Sequence, residues 1–168
     1  MIEVMVADIT TLDVDAIVNA ASRALAGGGG VDGAIHRAAG RELVKASRAL
    51  GPIETGSAVI TPGFKLRARY VIHAVGPIWY GGEEREPELL DGAYEGSFSR
   101  AREAGDVRTI AFPAISAGVY GFPREHATEI AVRAMRRHEA EYERIIACAY
   151  DEGTAELYRR ELKTRGRP

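Results

Sequence analysis

The chain has 168 residues, 46% of them hydrophobic, and a formal net charge of −2. This length suits one ordinary domain with a proper core and is short for two, and the composition is typical of a soluble globular protein. Because a nucleic-acid-binding protein normally carries a basic face, the slightly negative charge makes nucleic acid an unlikely main ligand.

Strand-like and helix-like segments alternate along the chain. Apolar runs predict strands at Ile2–Val6, Ala16–Asn19, Ser57–Ile60, Tyr70–Val75, Thr109–Phe112 and Ile145–Tyr150. Helices are predicted at Val31–Ala39, Arg41–Ala49, Glu88–Ala104, Pro123–His138 and Thr154–Lys163, with Pro123 in a first helical position and Thr154 as a cap. The alternation predicts one α/β domain over residues 1–163, with a mostly parallel sheet between helical layers. Residues 164–168 are expected to form a frayed tail.

The first candidate site residue is Asp8, directly after the first predicted strand. In such folds ligands bind beyond the carboxyl ends of the strands, which would make this carboxylate an acceptor for a ligand. The alternative is that Asp8 caps a turn by accepting hydrogen bonds from nearby backbone amides.

The second candidate is the segment from Asn19 to the run Gly27–Gly30, followed by Asp32 at the start of a predicted helix. Successive glycine amides can form an anion-binding nest, and the helix N-terminus adds partial positive charge, so the pattern favours phosphate. Asp32 would then be a carboxylate able to orient or deprotonate water. The alternatives are a flexible surface loop and a carboxylate that only stabilises the helix dipole.

Two common phosphate motifs do not explain this loop. A P-loop needs Lys followed by Ser or Thr after the last glycine, and the sequence has neither there. The letters GGGVDG formally satisfy the dinucleotide pattern G-x-G-x-x-G, but six residues, Ser22–Gly27, separate them from the preceding segment VNAA. No acidic residue stands at a second strand end about 20 positions on.

A second loop of small residues, FPAISAGVYGFP, connects the fifth predicted strand to the fourth helix. Two such loops suggest a diphosphate held between them, with Tyr120 and Phe122 as aromatic walls for a sugar or base. The alternative is a plain strand-to-helix connection with buried aromatics.

Near the C-terminus, Tyr150 ends the last predicted strand and is either a stacking residue for a base or a half-buried tyrosine.

The remaining polar and reactive residues point away from metal or covalent chemistry. The four histidines (His36, His73, His126 and His138) share no ligand spacing, and His73 is expected to be a hydrogen-bonded core residue. Cys148 lies in the apolar run IIACAY and is expected to be buried. The chain lacks a signal-peptide pattern and any apolar run near the roughly 18 residues of a membrane span, so a cytoplasmic location is expected.

Taken together, the segments VDAIVNAAS, LAGGGGVDGAIHRAAG, YVIHAVGPIW and IAFPAISAGVYGFP resemble the macrodomain family, in particular its MacroD-type group. The resemblance covers the chain from about Ile2 to Leu162. It implies a three-layer α/β/α sandwich that binds ADP-ribose, removes mono-ADP-ribose from acidic side chains of proteins, and deacetylates O-acetyl-ADP-ribose. It implies no metal and no cofactor.

The resemblance also assigns roles to individual positions. Asp8 and the Ile9 backbone would bind adenine beside Tyr150, and Asp32 would orient or activate the attacking water. The remaining expected binding residues belong to two segments. The first segment contributes Asn19, Gly30 and Val31, and the second contributes Ser116, Ala117, Gly118, Val119 and Tyr120.

Three positions depart from the family pattern. Ser22 stands where the family usually has a second asparagine that contacts the distal ribose and supports catalysis, while Ala7 replaces a glycine and Ala117 a threonine. Retained Asp32 favours a hydrolase of ADP-ribosyl esters, whereas Ser22 favours a non-catalytic ADP-ribose reader. A phosphatase acting on ADP-ribose phosphate is a more distant alternative.

Overall fold

A computed structural model describes residues 1–165 of the chain. Its strands are β1 (Ile2–Val6), β2 (Ala16–Ala20), β3 (Ala58–Pro62), β4 (Tyr70–Ala74), β5 (Thr109–Phe112) and β6 (Arg144–Ala149). Its helices are α1 (Gly30–Ala39), α2 (Arg41–Leu50), α3 (Glu86–Ala104), α4 (Arg124–His138) and α5 (Glu152–Arg165). Short 3₁₀ turns occur at Ile9–Thr11 and Glu139–Glu141.

The six strands form one sheet in the order β1-β6-β5-β2-β4-β3. All neighbouring pairs are parallel except β3 and β4, so β3 is an antiparallel strand at one edge. The predicted, mostly parallel sheet is therefore confirmed, and the antiparallel edge strand makes it mixed. Because β1, β6, β5, β2 and β4 all run the same way, their carboxyl ends lie along one rim of the sheet.

Alternating side chains of the strands bury the sheet on both faces, as expected for parallel strands between helical layers. On one face Val18, Ile110 and Ile145 pack in a core shared with α3, α4 and α5. On the other, Ile17 and Ile146 pack in a core shared with α1 and α2. The three-layer α/β/α architecture is thus confirmed.

Several local predictions are corrected by the structure. Thr154 does not cap α5: the Asp151 carboxylate accepts from the Thr154 backbone N–H at 2.8 Å, because Asp151 lies one residue before the helix. Pro123 immediately precedes α4 rather than occupying its first turn. Helix α5 continues through Arg165, so residues 164 and 165 of the expected tail are helical, and residues 166–168 lie outside the described residues.

Cys148 is buried, as predicted, and its Sγ donates to the Ala7 carbonyl at 3.3 Å. Burial raises the pKa of the Cys148 thiol to about 11, so the thiol stays protonated at neutral pH. Within residues 1–165, no helix has both the length and the apolar character needed to span a bilayer.

Candidate functional site

The predicted site residues follow the carboxyl ends of four strands that are adjacent in the sheet. Asp8 follows β1, Tyr150 follows β6, and the loop Ser116–Tyr120 follows β5. Asn19 is the penultimate residue of β2. Neighbouring strands are about 4.8 Å apart, so these positions extend over about 14 Å along one rim. The spatial order β1-β6-β5-β2 places Asp8 and Tyr150 at one end and Asn19 at the other.

Asp8 and Tyr150 are neighbours at the β1 end of the rim. Ala7, after β1, donates its backbone N–H to the Ala149 carbonyl at 3.3 Å, which fixes the two strand ends side by side. Asp8 does cap a turn, since its Oδ1 accepts from the Thr10 backbone N–H at 3.0 Å and from the Thr10 hydroxyl at 2.7 Å. No donor within residues 1–165 reaches Oδ2, so turn capping and ligand binding are compatible.

Tyr150 is not the half-buried strand-end residue of the alternative interpretation. Strand β6 ends one residue earlier, and 94% of the Tyr150 surface is exposed. Because β6 is parallel to its neighbours, this exposed ring lies on the same rim as Asp8. An exposed ring beside a carboxylate and the backbone of Ile9 has the chemistry to bind a nucleobase by stacking and hydrogen bonding.

The glycine loop is anchored at its start rather than flexible as a whole. Leu25 is buried, and its carbonyl accepts a hydrogen bond from the buried Ser47 hydroxyl of α2 at 2.6 Å. Gly27 and Gly30 have φ angles of 82° and 57°, a region that favours glycine. These conformations direct the chain from the anchored start into the first turn of α1.

Both loops present backbone N–H groups that bond to no acceptor within residues 1–165. In the first loop these belong to Gly28–Val31, at the N-terminus of α1; in the second they belong to Ala117–Tyr120. The second loop uses its carbonyls internally, since Ser116 and Gly118 accept from Phe122 and Gly121 at 3.0 Å each. Two sets of unpaired amides on adjacent strand ends form an arrangement suited to a diphosphate.

Asp32 lies in the first turn of α1 and is held in place on one carboxylate oxygen. Its Oδ1 accepts from Asn19 Nδ2 at 2.9 Å and lies 3.2 Å from Nε2 of His36, one helical turn later. No donor within residues 1–165 reaches Asp32 Oδ2, which faces Gly28; a Cβ at Gly28 would lie 3.1 Å from it. Asp32 is thus fixed while one oxygen stays available for water.

Ser22 is half-buried three residues after Asn19. Its carbonyl accepts from the Leu25 N–H at 3.1 Å, and its hydroxyl makes no hydrogen bond within the described part of the chain. The hydroxyl therefore remains available at the Asn19 end of the rim, where the resemblance places the distal ribose.

The second loop packs against the segment that follows β4. Ser116 adopts a left-handed φ of 65°, is buried, and has a hydroxyl with no partner among residues 1–165. Gly76 packs directly against it, because a Cβ at Gly76 would overlap both Ser116 Oγ and Ile115 Cγ2. Val119 at the tip is fully exposed, and Tyr120 is partly buried.

Phe122 is not an aromatic wall of the site, contrary to one prediction. It is 1% exposed and packs on Trp79, with ring centroids 4.7 Å apart. Trp79 also donates its backbone N–H to the Tyr120 carbonyl at 2.8 Å. Phe122 is therefore a core residue that holds the second loop against the segment after β4.

That segment is ordered by a residue that the sequence did not indicate. The buried Glu86 carboxylate accepts from the backbone N–H groups of Tyr80, Gly82 and Glu84 at 2.9, 2.8 and 2.6 Å. Burial alone would raise the pKa of Glu86, but these hydrogen bonds outweigh it and lower the pKa. A charged Glu86 thus fixes the turn that carries Trp79.

His36 and Gly76 are the other site residues that sequence reasoning missed. The spacing of Asp32 and His36, four residues apart in a predicted helix, was a usable signal because it places both on one helical face. Gly76 carried no such signal, because its role depends on packing between the segments that follow β4 and β5. Within residues 1–165, no three His, Cys, Asp or Glu side chains are grouped to hold a metal ion.

Comparison with known proteins agrees with this geometry. Residues 18–131 match the family model of the Macro domain. The chain is 59% identical over 152 residues to a macro domain-containing protein of Ralstonia nicotianae, covering 90% of this chain and 88% of that protein. It is 54% identical over 172 residues to the O-acetyl-ADP-ribose deacetylase of Salmonella newport, covering 98% and 96%.

Solved structures give the same result. A macrodomain of Oceanobacillus iheyensis solved with ADP superposes with a TM-score of 0.91 at 38% identity, covering 98% of this chain and 90% of that one. A Trypanosoma brucei macrodomain in complex with ADP-ribose gives 0.86 at 36% identity, covering 95% and 68%. The family match over most of the chain and the shared three-layer fold establish that this protein belongs to the Macro domain family.

Proposed function

We propose that this protein binds ADP-ribose and hydrolyses esters of its distal ribose, taking O-acetyl-ADP-ribose and proteins mono-ADP-ribosylated on acidic side chains as substrates. The observation that carries the proposal is the buried Asp32 carboxylate, fixed by Asn19 and His36 through Oδ1 while Oδ2 faces the glycine loop. Relatives named O-acetyl-ADP-ribose deacetylase, 52–54% identical to this chain, support it.

The ligand would lie along the rim in the order of the strand ends. Adenine would stack on Tyr150 and donate its amine to Asp8 Oδ2, with the Ile9 N–H as a second contact. The diphosphate would lie between the unpaired amides of Gly30–Val31 and those of Ala117–Tyr120, bordered by the Ser116 hydroxyl. The distal ribose would then reach Asn19, Ser22 and Asp32. Binding of the remote adenosine half would position the ester for reaction.

The reaction proposed for O-acetyl-ADP-ribose is addition of water to the acetyl carbonyl carbon. Asp32 Oδ2 orients the water and takes up its proton as the new carbon–oxygen bond forms. The bond between the acyl carbon and the ribose oxygen then breaks, and the ribose oxygen becomes a hydroxyl by receiving the proton that Asp32 took from the water, which returns Asp32 to its carboxylate form. The products are acetate and ADP-ribose.

A non-catalytic ADP-ribose reader is the second candidate, and Ser22 is the observation that favours it. A serine hydroxyl is shorter than an asparagine amide and has one donor hydrogen instead of two. If the missing contact were essential for catalysis, the site would bind ADP-ribose without turning over its esters.

Two measurements separate these functions. Calorimetry is expected to give far tighter binding of ADP-ribose than of AMP, which lacks the second phosphate and ribose, or of NAD, whose nicotinamide would crowd the glycine loop. Equal affinity for AMP would contradict the two-loop site. Incubation with O-acetyl-ADP-ribose in the presence of EDTA is expected to release acetate at an undiminished rate; tight binding without acetate release would identify a reader.

A further inference from the structure

A row of buried polar side chains extends behind Asp32, across three strands of the sheet. Asn19 on β2 and His73 on β4 are fully buried, and Thr61 on the edge strand β3 is 3% exposed. Asn19 Nδ2 lies 3.3 Å from His73 Nδ1, and His73 Nε2 lies 3.0 Å from the Thr61 hydroxyl oxygen. The row therefore connects the edge of the sheet to the carboxylate of the proposed site.

The direction of every hydrogen bond in this row follows from its ends. Asp32 accepts, so the Asn19 amide must present its NH₂ group to Asp32, and the second hydrogen of the same group is directed to His73 Nδ1. His73 Nδ1 is then an acceptor and Nε2 carries the proton, which it donates to Thr61. The Thr61 hydroxyl can in turn donate to the Pro62 carbonyl at 3.1 Å.

This row leaves one polar atom unused. Asn19 Oδ1 is buried and has no hydrogen-bond partner within residues 1–165. One hydrogen bond, to Asp32, would leave the amide free to rotate about it, whereas two bonds from the same NH₂ group fix its plane and hence the direction of Oδ1. A buried, unpaired acceptor next to Asp32 is suited to a sugar hydroxyl.

We propose that His73, supported by Thr61, is a positioning residue for hydrolysis: it fixes the Asn19 amide so that Nδ2 holds Asp32 and Oδ1 accepts from a hydroxyl of the distal ribose. The kinetic part of this inference rests on the proposed hydrolase function. The charge state of His73 agrees with the role, since burial and the neighbouring His36 lower the pKa of His73 to about 4. At neutral pH Nδ1 is then an acceptor.

Four variants test the role. His73→Leu removes the acceptor, His73→Asn restores one near the position of Nδ1, and Thr61→Val removes the hydroxyl that orients the ring. Val71→Ala is the matched control, because it makes a cavity two residues away on the same face of β4 and its side chain makes no hydrogen bond. Single-turnover acetate release and ADP-ribose affinity are measured for each, per folded protein.

We expect His73→Leu to lower turnover about 10- to 100-fold and ADP-ribose affinity less than tenfold, the size expected for losing one or two positioned interactions. His73→Asn should recover most of the rate, Thr61→Val should lose about threefold, and Val71→Ala should match wild type. Equal rates for His73→Leu and wild type would overturn the inference. So would a His73→Asn variant no faster than His73→Leu.

A spectroscopic measurement tests the inference without relying on activity. Long-range ¹H–¹⁵N correlation of protein labelled on histidine is expected to give His73 as the neutral tautomer protonated on Nε2 between pH 6 and 8. A charged ring, or protonation on Nδ1, would overturn the positioning role even if the enzyme were active. Conversely, if wild type releases no acetate, the proposed function fails, while the tautomer and the effect of His73→Leu on ADP-ribose affinity still decide the role of His73.

Discussion

At the scale of single residues, the proposed chemistry depends on Asp32. It is 6% exposed and its Oδ1 has two partners, so it is built into the structure more firmly than a carboxylate that only stabilises a helix dipole. The sequence predicted its place at the start of a helix beside the glycines. The sequence did not predict its contact with Asn19, because that contact depends on how α1 packs on β2.

We expect Asp32→Ala to lower the hydrolysis rate roughly 100-fold or more, as for other positioned acid–base groups. The free energy of unfolding should fall by about 1–3 kcal/mol, because Asn19 and His36 lose a buried acceptor. Glu42→Ala is the matched control, since Glu42 is an exposed first-turn carboxylate of α2. Single-turnover acetate release by both variants measures the effect. Near-normal turnover by Asp32→Ala would show that hydrolysis does not need this carboxylate.

Ser22 is expected to slow the enzyme without inactivating it. A hydroxyl at this position would reach the distal ribose through a water, which binds well but positions less firmly. Ser22→Asn should therefore raise single-turnover hydrolysis about 3- to 30-fold, since a contact of about 1.4 kcal/mol corresponds to tenfold. Affinity for free ADP-ribose should change less. An unchanged or slower variant would mean that other groups hold the ribose in this protein.

At the scale of elements, the two amide-bearing loops depend on neighbours distant in the sequence. Leu25 and Ser47 anchor the first loop, while Gly76, Phe122 and the segment fixed by Glu86 hold the second. The glycine and small-residue composition of both loops was readable from the sequence, as were the strands before them. The supports were not, because they act through tertiary packing that no local pattern encodes; Phe122 was therefore assigned to the site instead of the core.

Gly76→Ala tests whether support of the second loop matters for binding. The added Cβ overlaps Ser116 Oγ and Ile115 Cγ2, so the loop must move away from the segment that follows β4. We expect ADP-ribose affinity to fall about tenfold, as for the loss of one or two hydrogen bonds to a charged group. Gly153→Ala in the first turn of α5 is the control, because only Asp151 Oδ1, at 3.6 Å, is near its added Cβ. Calorimetry giving equal affinities for both variants would contradict this dependence.

At the scale of the whole molecule, the proposed anion site lies in a chain whose net charge is −2. Such a chain can still attract an anion, because its parallel strands bring backbone amides and a helix N-terminus to one rim of the sheet without a basic patch. The alternation of strands and helices predicted this architecture and the rim. The sequence pattern did not predict the extent of β3 or its antiparallel position at the edge, because both depend on how the strands pair in the sheet.

The buried row behind Asp32 gives the protein a specific acid sensitivity. The pKa of His73 is lowered to about 4, from 6.5, by burial and by His36, with Asp32 the nearest carboxylate in the row. The unfolded chain then binds a proton below pH 6.5 that the folded chain binds only near pH 4, so stability falls as pH falls through this window. Between pH 7 and pH 5, His73 should account for a loss of about 2 kcal/mol.

Urea unfolding of wild type and His73→Asn at pH 7 and pH 5 measures the contribution of His73 to the pH dependence of stability. The free energy of unfolding of His73→Asn is expected to change less between the two pH values, because asparagine does not titrate. Identical pH dependence in the two proteins would mean that His73 is protonated as easily in the folded state as in the unfolded chain.

The most direct test of the central claim uses a protein mono-ADP-ribosylated on glutamate, incubated with wild type and followed for release of free ADP-ribose under single-turnover conditions with EDTA present. ADP-ribose affinity is measured in parallel, so that binding and chemistry are separated. The hydrolase assignment predicts time-dependent release by wild type and roughly 100-fold slower release by Asp32→Ala. Tight binding of ADP-ribose with no release by wild type would contradict it and identify a reader.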